Sequence, residues 1–278
     1  MQKGAEKDTI SACKRYDLAE ERIKAFSRSG VRAKTMLCLK DGPKTAADLE
    51  SLIGTRSSTI LHSIKDMRNE HLIKKIDSGY ALTNIGNIQA LLLDDLVSSI
   101  ITLGEHKDFW LSHEIGGIPI ELQKDIGVLM HSEIIASDQA NIFRCHEHFL
   151  EKLKEANEIY GVSPIIATGY SEAIRQAVER GVKVELVLTD EVLGIASQMN
   201  PDVGSALLNC DNFKLYSLKD RVTVAFTVTD SILSLGFYRF DGCYDMDRDL
   251  IGTADEARAW GMRLFEHYRQ KAEPVRMP

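Results

Sequence analysis

The stretch TAADLESLIGTRSSTILHSIKDM, at residues 45–67, decides the fold of the first part of the chain. Thr45 is placed to cap a short helix, and Asp48, three positions later, completes a pattern like a capping box. Residues 54–55 (Gly-Thr) then make a turn, and a longer helix is predicted over 57–70. Two helices joined by a tight turn are typical of a helix-turn-helix.

The longer helix is amphipathic, with one face for packing and one for contacts outside the domain. Four apolar side chains are expected to form the stripe that faces the core: Ile60, Leu61, Ile64 and Met67. The polar positions expected to be exposed are Arg56, Ser57, Ser58, Thr59, His62, Ser63 and Lys65. An arginine and short hydroxyls at a helix start suit phosphates and base edges, so this face is predicted to contact double-stranded DNA. The alternative is that the Ser/Thr run only caps the helix.

The flanking segments complete the order of a winged helix. Upstream, apolar residues predict two helices separated near residues 29–30. Downstream, the runs 72–76 and 80–83 are joined by a glycine-containing turn and predict a β-hairpin. Lys74 and Lys75 lie on this hairpin, where a wing would touch phosphates. They are equally explained as solvated lysines that keep the strand edge from pairing.

The rest of the chain predicts a long helix followed by a second domain. The segment 84–103 is apolar on more than one side, so it needs cover from the second domain, from a partner subunit or from both. The predicted organisation is a winged helix-turn-helix at 17–83, a linker and dimerisation helix at 84–108 and an α/β sensor domain at 109–278. The fold class is therefore a two-domain protein that combines α+β and α/β parts.

The second domain alternates strand-like and helical runs, which favours an α/β domain with some parallel pairing. Strands are predicted at 182–188, 213–216, 222–228 and 232–240, and helices at 171–180 and 254–270. Gly181 is expected to cap the first of these helices.

Charge is distributed unevenly along the chain. Residues 1–90 carry 16 Lys and Arg against 11 Asp and Glu, a net charge of +5, and the remainder carries 18 against 30, a net charge of −12. A basic first third on an acidic body is expected when one domain approaches phosphates and the other does not.

Composition favours a cytoplasmic protein without a membrane span. The most apolar stretch, 85–103, is broken by Asp94 and Asp95, and the polar first residues lack the apolar core of a signal peptide. The sequence contains no nucleotide-binding glycine motif and no nucleophile elbow, so neither a cofactor nor an enzymatic activity is predicted.

Several segments, in their order and spacing, carry a resemblance to a known family. They are FWLSH (109–113), GIP (117–119), IYGVS (159–163), RGVKV (180–184), AFTVTD (225–230) and WGMRLF (260–265). From about residue 27 onward the chain resembles the archaeal methanogenesis regulatory proteins, which are winged helix-turn-helix transcription regulators. The resemblance implies a DNA-reading domain, a sensing domain and a homodimer.

A weaker similarity at the level of the fold links the second domain to phospholipase D-like domains. Their catalytic signature is H-x-K-x-x-x-x-D. Anchored on Asp230, that signature places Thr223 at the histidine and Ala225 at the lysine. Because these side chains cannot act as nucleophile and phosphate ligand, such a domain would be catalytically inactive.

Polar and aromatic residues of the second domain are candidates for a ligand site. They are Trp110, His113, Thr168, Tyr170, Asp230, Arg239 and Asp245. Ligands of open α/β sheets bind at strand ends, where several of these residues fall. Trp110 and His113 also admit a purely structural interpretation, as a core anchor and a hydrogen-bonded histidine. The RCHEH segment at 144–148 lacks a full set of ligands, so no metal is predicted.

The predicted function is a homodimeric DNA-binding transcription regulator whose second domain senses an unidentified small molecule. Two alternatives remain at this point. One is a phospholipase D-like hydrolase tethered to DNA, which the missing histidine and lysine disfavour. The other is an adaptor whose winged helix binds protein, which the basic first third disfavours.

Overall fold

The computed structural model describes residues 11–27, 29–199 and 201–276. The chain divides into two compact units, Met1–Leu96 and Val97–Pro278. The division falls inside the long helix that was expected to link the two domains. The finer domain boundaries expected from the sequence stay predictions.

In the amino-terminal unit, helices come first and a β-hairpin follows. Its elements are α1 (Ala12–Ser27), α2 (Gly30–Lys40), α3 (Ala46–Ile53), α4 (Ser57–Asn69), β1 (Ile73–Ile76) and β2 (Gly79–Leu82). The predicted capping box is confirmed, because the Asp48 carboxylate accepts from the Thr45 backbone at 2.8 Å and Thr45 Oγ1 accepts from the Asp48 backbone at 3.2 Å. The predicted hairpin is also confirmed, with β1 and β2 antiparallel. This order of elements is that of a winged helix.

The core of this unit corrects the predicted register of α4. Leu61 was expected to face inward but is 44% exposed, and Ser63 was expected to be exposed but is only 6% exposed. Ile60, Ser63, Ile64 and Met67 follow the i, i+3, i+4, i+7 spacing of one helix face, and Leu61 lies about 100° round the axis from Ile60. The buried apolar cluster consists of Met36, Leu39, Leu49, Ile60, Ile64, Met67, Leu72, Ile73 and Ala90.

The long helix α5 (Asn84–Glu105) follows the hairpin. By length and composition alone this helix could cross a membrane, although Asp94 and Asp95 interrupt its apolar sequence. Its two central aspartates argue against that use, since the Asp94 carboxylate lies 2.6 Å from the Lys40 ammonium group of α2. Many of its apolar side chains are nevertheless exposed.

The carboxy-terminal unit is a mixed sheet covered by helices. Its helices are α6 (Lys107–Ser112), α7 (Ile120–Gln123), α8 (Arg144–Glu155), α9 (Tyr170–Glu179), α10 (Asp190–Met199), α11 (Pro201–Leu208) and α12 (Asp255–Arg269). Its strands are β3 (Glu133–Ala136), β4 (Glu158–Ser163), β5 (Lys183–Thr189), β6 (Phe213–Leu218), β7 (Val224–Thr229), β8 (Leu233–Phe237), β9 (Arg248–Gly252) and β10 (Glu273–Pro274). Short 3₁₀ turns occupy Ile115–Gly117 and Ile126–Leu129.

The eight described strands of this unit form one sheet in the order β10-β6-β5-β4-β7-β8-β9-β3. Strands β4, β5 and β6 are parallel, which confirms the expected parallel pairing, and the other neighbours are antiparallel. The predicted strands are confirmed as β5, β6, β7 and β8, whereas β3, β4, β9 and β10 were not predicted.

Each face of this sheet has its own core. On one face, α12 buries Trp260 completely, and the indole N–H donates to the Leu122 carbonyl at 3.0 Å. On the other face, α8 and α9 pack on β4 and β5 around Leu153, Ile159 and Ile174. This second face carries small side chains where β4, β7 and β8 meet, and that is where the helices leave a cavity.

Candidate nucleic-acid interface and ligand cavity

The candidate DNA face of α4 is polar and open to solvent. Its exposed predicted residues are Arg56, Ser58, Thr59, His62 and Lys65, and Ser57 is half-buried. Ser63 faces the core, so its hydroxyl does not belong to this face. Leu61 takes a place on the exposed face, where an apolar side chain suits the methyl group of thymine. Sequence reasoning missed Leu61 because it was assigned to the apolar stripe.

The start of α4 corrects the capping alternative. The N-cap position is Arg56, which has extended backbone dihedrals, and no side chain makes a capping hydrogen bond there. The hydroxyls of Ser57, Ser58 and Thr59 are therefore not used for capping. The free N–H groups of the first turn and the helix dipole favour an anion at this end.

Two basic side chains are exposed on the hairpin. Lys74 and Lys75 are both exposed on β1, opposite Ala81 and Tyr80 of β2. Neither lysine forms an ion pair within the part of the chain that the structure describes. On α4 itself, His62 Nε2 lies 3.6 Å from the Asp66 carboxylate.

In the carboxy-terminal unit, the fold brings three of the predicted ligand residues into one buried network. His113 is 1% exposed and Asp245 is 2% exposed, and His113 Nε2 lies 2.9 Å from Asp245 Oδ2. The Arg248 guanidinium donates to the same oxygen at 2.8 Å, and Arg239 lies 3.8 Å from Oδ1. Burial raises the pKa of Asp245, but the Asp247 amide, Arg248 and His113 outweigh it, and the pKa lies below its usual range. The network connects the end of α6 to the segment before β9.

The other predicted ligand residues are dispersed. Trp110 packs edge-on against Phe109 and donates to the Thr102 carbonyl at 3.1 Å, as a core anchor would. Thr168 is exposed and offers only its carbonyl, which lies 2.8 Å from His146 Nε2. Thus neither Trp110 nor Thr168 joins the buried network.

Asp230 lies at the opposite end of β4 from Tyr170. It sits in the turn between β7 and β8, where its carboxylate accepts hydrogen bonds from the backbone and side-chain amides of Asn157, each at 2.8 Å. Burial raises the pKa of Asp230, but these two bonds, with the backbone amides of Asp230 and Glu158, outweigh it, so the pKa lies below its usual range. The geometry gives this aspartate a role in fixing a turn.

The cavity between the sheet and the helices α8 and α9 has a volume of about 70 Å³. Two predicted ligand residues, Tyr170 and Asp245, line it. Sequence reasoning missed the other polar lining residues, namely Cys145, His146, Ser163, Thr227, Ser234, Tyr244, Arg248 and Asp249. The one available signal was Asp249, a carboxylate directly before the apolar pair Leu250-Ile251 in a run of strand length.

Asp249 is the most perturbed acid of the cavity. It is 8% exposed, and burial raises its pKa to about 7, although Ser234 and the backbone amides of Leu235 and Leu250 act in the opposite direction. Its Oδ2 accepts a hydrogen bond from the Ser234 hydroxyl. Its Oδ1 is buried and has no hydrogen-bond partner among the described residues. A buried acid of this kind marks a candidate functional site.

Neither a metal centre nor the phospholipase D signature emerges from this geometry. Within residues 11–27, 29–199 and 201–276, no group of three or more His, Cys, Asp or Glu side chains is arranged to hold a metal ion. Ala225 lines the cavity, and Thr223 lies just before β7, so the positions of the catalytic lysine and histidine carry no basic side chain.

Comparison with known protein families places the chain in a class of regulatory proteins. The model of the N-terminal domain of methanogenesis regulatory protein FilR1 matches residues 20–101, and the model of its middle domain matches residues 142–271. FilR1 of Methanothrix harundinacea strain 6Ac is 34% identical over 261 residues, which cover 92% of this chain and 58% of that protein. The chain belongs to the family of methanogenesis regulatory proteins. It spans little more than half the length of this relative.

Two solved structures share parts of the architecture at low similarity. The archaeal chromatin protein TrmBL2 is 18% identical, with a TM-score of 0.43 over 95% of this chain and 100% of its own. The phospholipase D family member Nuc from Salmonella typhimurium is 13% identical, with a TM-score of 0.41 over 52% of this chain and 98% of its own. At TM-scores below 0.5, neither similarity supports a conclusion about function.

Proposed function

We propose that the protein is a homodimeric transcription regulator whose amino-terminal unit binds double-stranded DNA and whose carboxy-terminal unit senses a small molecule. The observation that carries the proposal is the exposed polar face of α4, with Arg56 at its start. A helix of this kind enters the major groove with its first residues toward the bases. Arg56 would donate two hydrogen bonds to guanine, and Lys65 would contact phosphate.

Charge supports DNA as the partner of this face. The first ninety residues carry a net charge of +5, although the whole chain carries −7. Lys74 and Lys75 would add phosphate contacts beside the groove, and such contacts supply affinity that falls as salt rises. The acidic remainder of the chain would be repelled by DNA, which confines binding to the amino-terminal unit.

The exposed apolar side of α5 supports dimerisation with a second copy. Its exposed side chains are Ile85, Ile88, Leu91, Leu92, Leu96, Ile100, Ile101 and Leu103. Spacings of three and four residues align most of them along the helix, as in helices that pair. Two copies related by a twofold axis would read two half-sites, so a ligand that favours one dimer geometry would change DNA affinity.

The test is fluorescence anisotropy with DNA from upstream of the protein's own gene, against scrambled DNA. We expect sequence-preferring, salt-sensitive binding, and Arg56→Ala should weaken it about 10- to 100-fold, as expected for loss of a bidentate base contact. Arg221→Ala removes an arginine of the other unit whose side chain is 72% exposed, and it should leave binding unchanged. Equal loss in both variants, or no binding to either DNA, would contradict the proposal.

Light scattering tests the dimer. The full chain should have about twice the 31.1 kDa mass of one copy. Leu92→Glu, on the exposed side of α5, should shift it toward the monomer, because a buried unpaired charge opposes association. Leu61→Glu on α4 is the matched control and should leave the mass unchanged. A monomeric wild-type protein, in solution and on DNA, would rule out the dimer.

A further inference from the structure

Two tyrosine hydroxyls reach the sheet at the floor of the cavity because two strand positions are glycine. A Cβ atom on Gly161 of β4 would lie 3.1 Å from Tyr170 Oη, and one on Gly236 of β8 would collide with Tyr244 Oη. The Tyr170 hydroxyl is bonded to Thr227, and burial raises the pKa of both tyrosines, so both remain protonated donors. The floor of the cavity is therefore polar although it lies inside the fold.

Asp249 supplies the one buried acceptor on this floor that lacks a partner. Its Oδ1 atom has no hydrogen-bond partner among the described residues, and no Lys, Arg or His side chain among them forms an ion pair with Asp249. Arg248, the arginine that lines the cavity, is bonded to Asp245 and to Ser112 instead. A buried carboxylate without a counter-ion is costly, and a bound cation that donates a hydrogen bond would remove that cost.

The aromatic walls of the cavity also favour a positively charged ligand. Phe149 and Tyr170 line the cavity and stack with their ring centroids 5.9 Å apart. Tyr244 also lines it and meets Tyr238, which lies outside the lining, edge-on at 5.5 Å. Faces of aromatic rings attract ammonium groups. Residues 91–278 also carry a net charge of −12, which raises the local concentration of cations and repels anions.

The size of the cavity limits the ligand and suggests where its apolar part goes. A volume of about 70 Å³ has space for roughly five to seven water-sized groups. A second cavity of about 340 Å³, lined mainly by apolar side chains under α9, α10 and α11, shares Ile165, Ala167 and Tyr170 with the first. A short alkyl chain attached to the polar group can therefore extend between apolar walls.

We propose that the cavity binds a small primary alkylammonium ion, whose ammonium group donates to Asp249 Oδ1 and whose chain lies toward the apolar cavity. This inference rests on the proposed sensing function and deepens it, since it names the chemical class of the effector. The role of Asp249 is to bind and orient the charged group, and the aromatic wall selects for positive charge.

The experiment is isothermal titration calorimetry of the full chain without DNA at pH 8, with n-hexylammonium, 1-hexanol and hexanoate as probes. We expect n-hexylammonium to bind at least tenfold more tightly than 1-hexanol and hexanoate not to bind. Asp249→Asn should weaken n-hexylammonium at least tenfold, whereas Asp247→Asn, an exposed aspartate two residues earlier, should not. No binding of n-hexylammonium, equal binding of the alcohol, or an unchanged Asp249→Asn variant would overturn the proposal.

A second variant keeps the test decisive if Asp249→Asn fails to fold, which circular dichroism would reveal. Phe149→Leu removes an aromatic face and keeps an apolar side chain, so it should weaken n-hexylammonium about fivefold and leave 1-hexanol unchanged. Equal effects on both probes would overturn the cation site. Because this titration contains no DNA, its failure leaves the DNA-binding result standing, and a failure of DNA binding leaves the titration interpretable.

Discussion

The two candidate sites differ in how the fold presents their polar side chains. On α4, Arg56 at the N-cap and His62 and Lys65 in the helix face solvent and are close together in the chain. In the cavity, the partly buried Tyr170 and the buried Asp249 line the same space and come from distant parts of the chain. Exposed side chains change binding with little effect on stability, whereas buried polar side chains affect both. The comparison therefore predicts different results for similar substitutions in the two units.

The largest expected effect concerns Asp249 and pH. Its pKa is about 7 in the folded protein against 3.8 for the ordinary carboxyl, so the folded state binds a proton that the unfolded state releases. Below pH 4 this group therefore does not reduce the free energy of unfolding. As the pH rises through 7 the carboxyl ionises in the folded state, and above pH 7 it lowers the free energy of unfolding by about 4 kcal/mol. Asp249→Asn should raise the free energy of unfolding by about 2–4 kcal/mol at pH 8 and change it little at pH 4.

Urea denaturation at the two pH values measures this difference. Three ionisable neighbours of Asp249 do not titrate between pH 4 and 7: burial raises the pKa of Cys145 to about 12 and that of Tyr244 above its usual range, and the pKa of Asp245 lies below its own. An equal effect of Asp249→Asn at both pH values would contradict the assignment.

A pair of histidine substitutions tests the comparison directly. His113→Ala breaks the buried pair with Asp245 and should cost about 3 kcal/mol of unfolding free energy, because it leaves a buried carboxylate short of a partner. His62→Ala removes an exposed side chain of α4 and should change stability by less than about 0.5 kcal/mol. Chemical denaturation of both variants checks this, and similar losses would remove the distinction between the sites.

A smaller effect is expected at the capping box. Thr45→Ala removes the hydroxyl that accepts from the Asp48 backbone and should cost about 1 kcal/mol. Thermal unfolding of the amino-terminal unit would measure it, with Ser58→Ala as the control, since no side chain caps α4. A comparable loss in the control would mean that the Ser/Thr run does cap its helix.

The smallest effect is expected on the hairpin. Lys74→Ala and Lys75→Ala should each weaken DNA binding modestly for all sequences. Each should also reduce the slope of log Kd against log salt concentration by about one. Anisotropy titrations at several salt concentrations measure the slope. Unchanged slopes in both variants would favour the interpretation that these lysines only protect the strand edge.

The amino-terminal unit was largely predictable because its determinants are local. Local signals define α3 and α4 independently of their tertiary packing. They are a capping pair three residues apart, a turn at Gly54 and a 3.6-residue apolar period. The period does not determine which side chains lie at the centre of the buried face, since either Leu61 or Ser63 could be buried beside Ile60. In the structure Ser63 is buried, because α4 packs against α2 and the hairpin on that side.

The cavity was only partly predictable because its residues are separated in the chain. Cys145, Tyr170 and Asp249 meet because the sheet order sets β4 beside β7 and β9 beside β8, and no local pattern encodes that order. Burial and neighbouring charges then decide the chemistry, since Asp245 is held ionised by its partners and Asp249 is left without one. Local sequence thus determined the helices, the turn and the basic first third, through hydrogen bonds and periodicity within a few residues. Only the tertiary structure decided which polar groups are enclosed together, because desolvation depends on what covers a side chain.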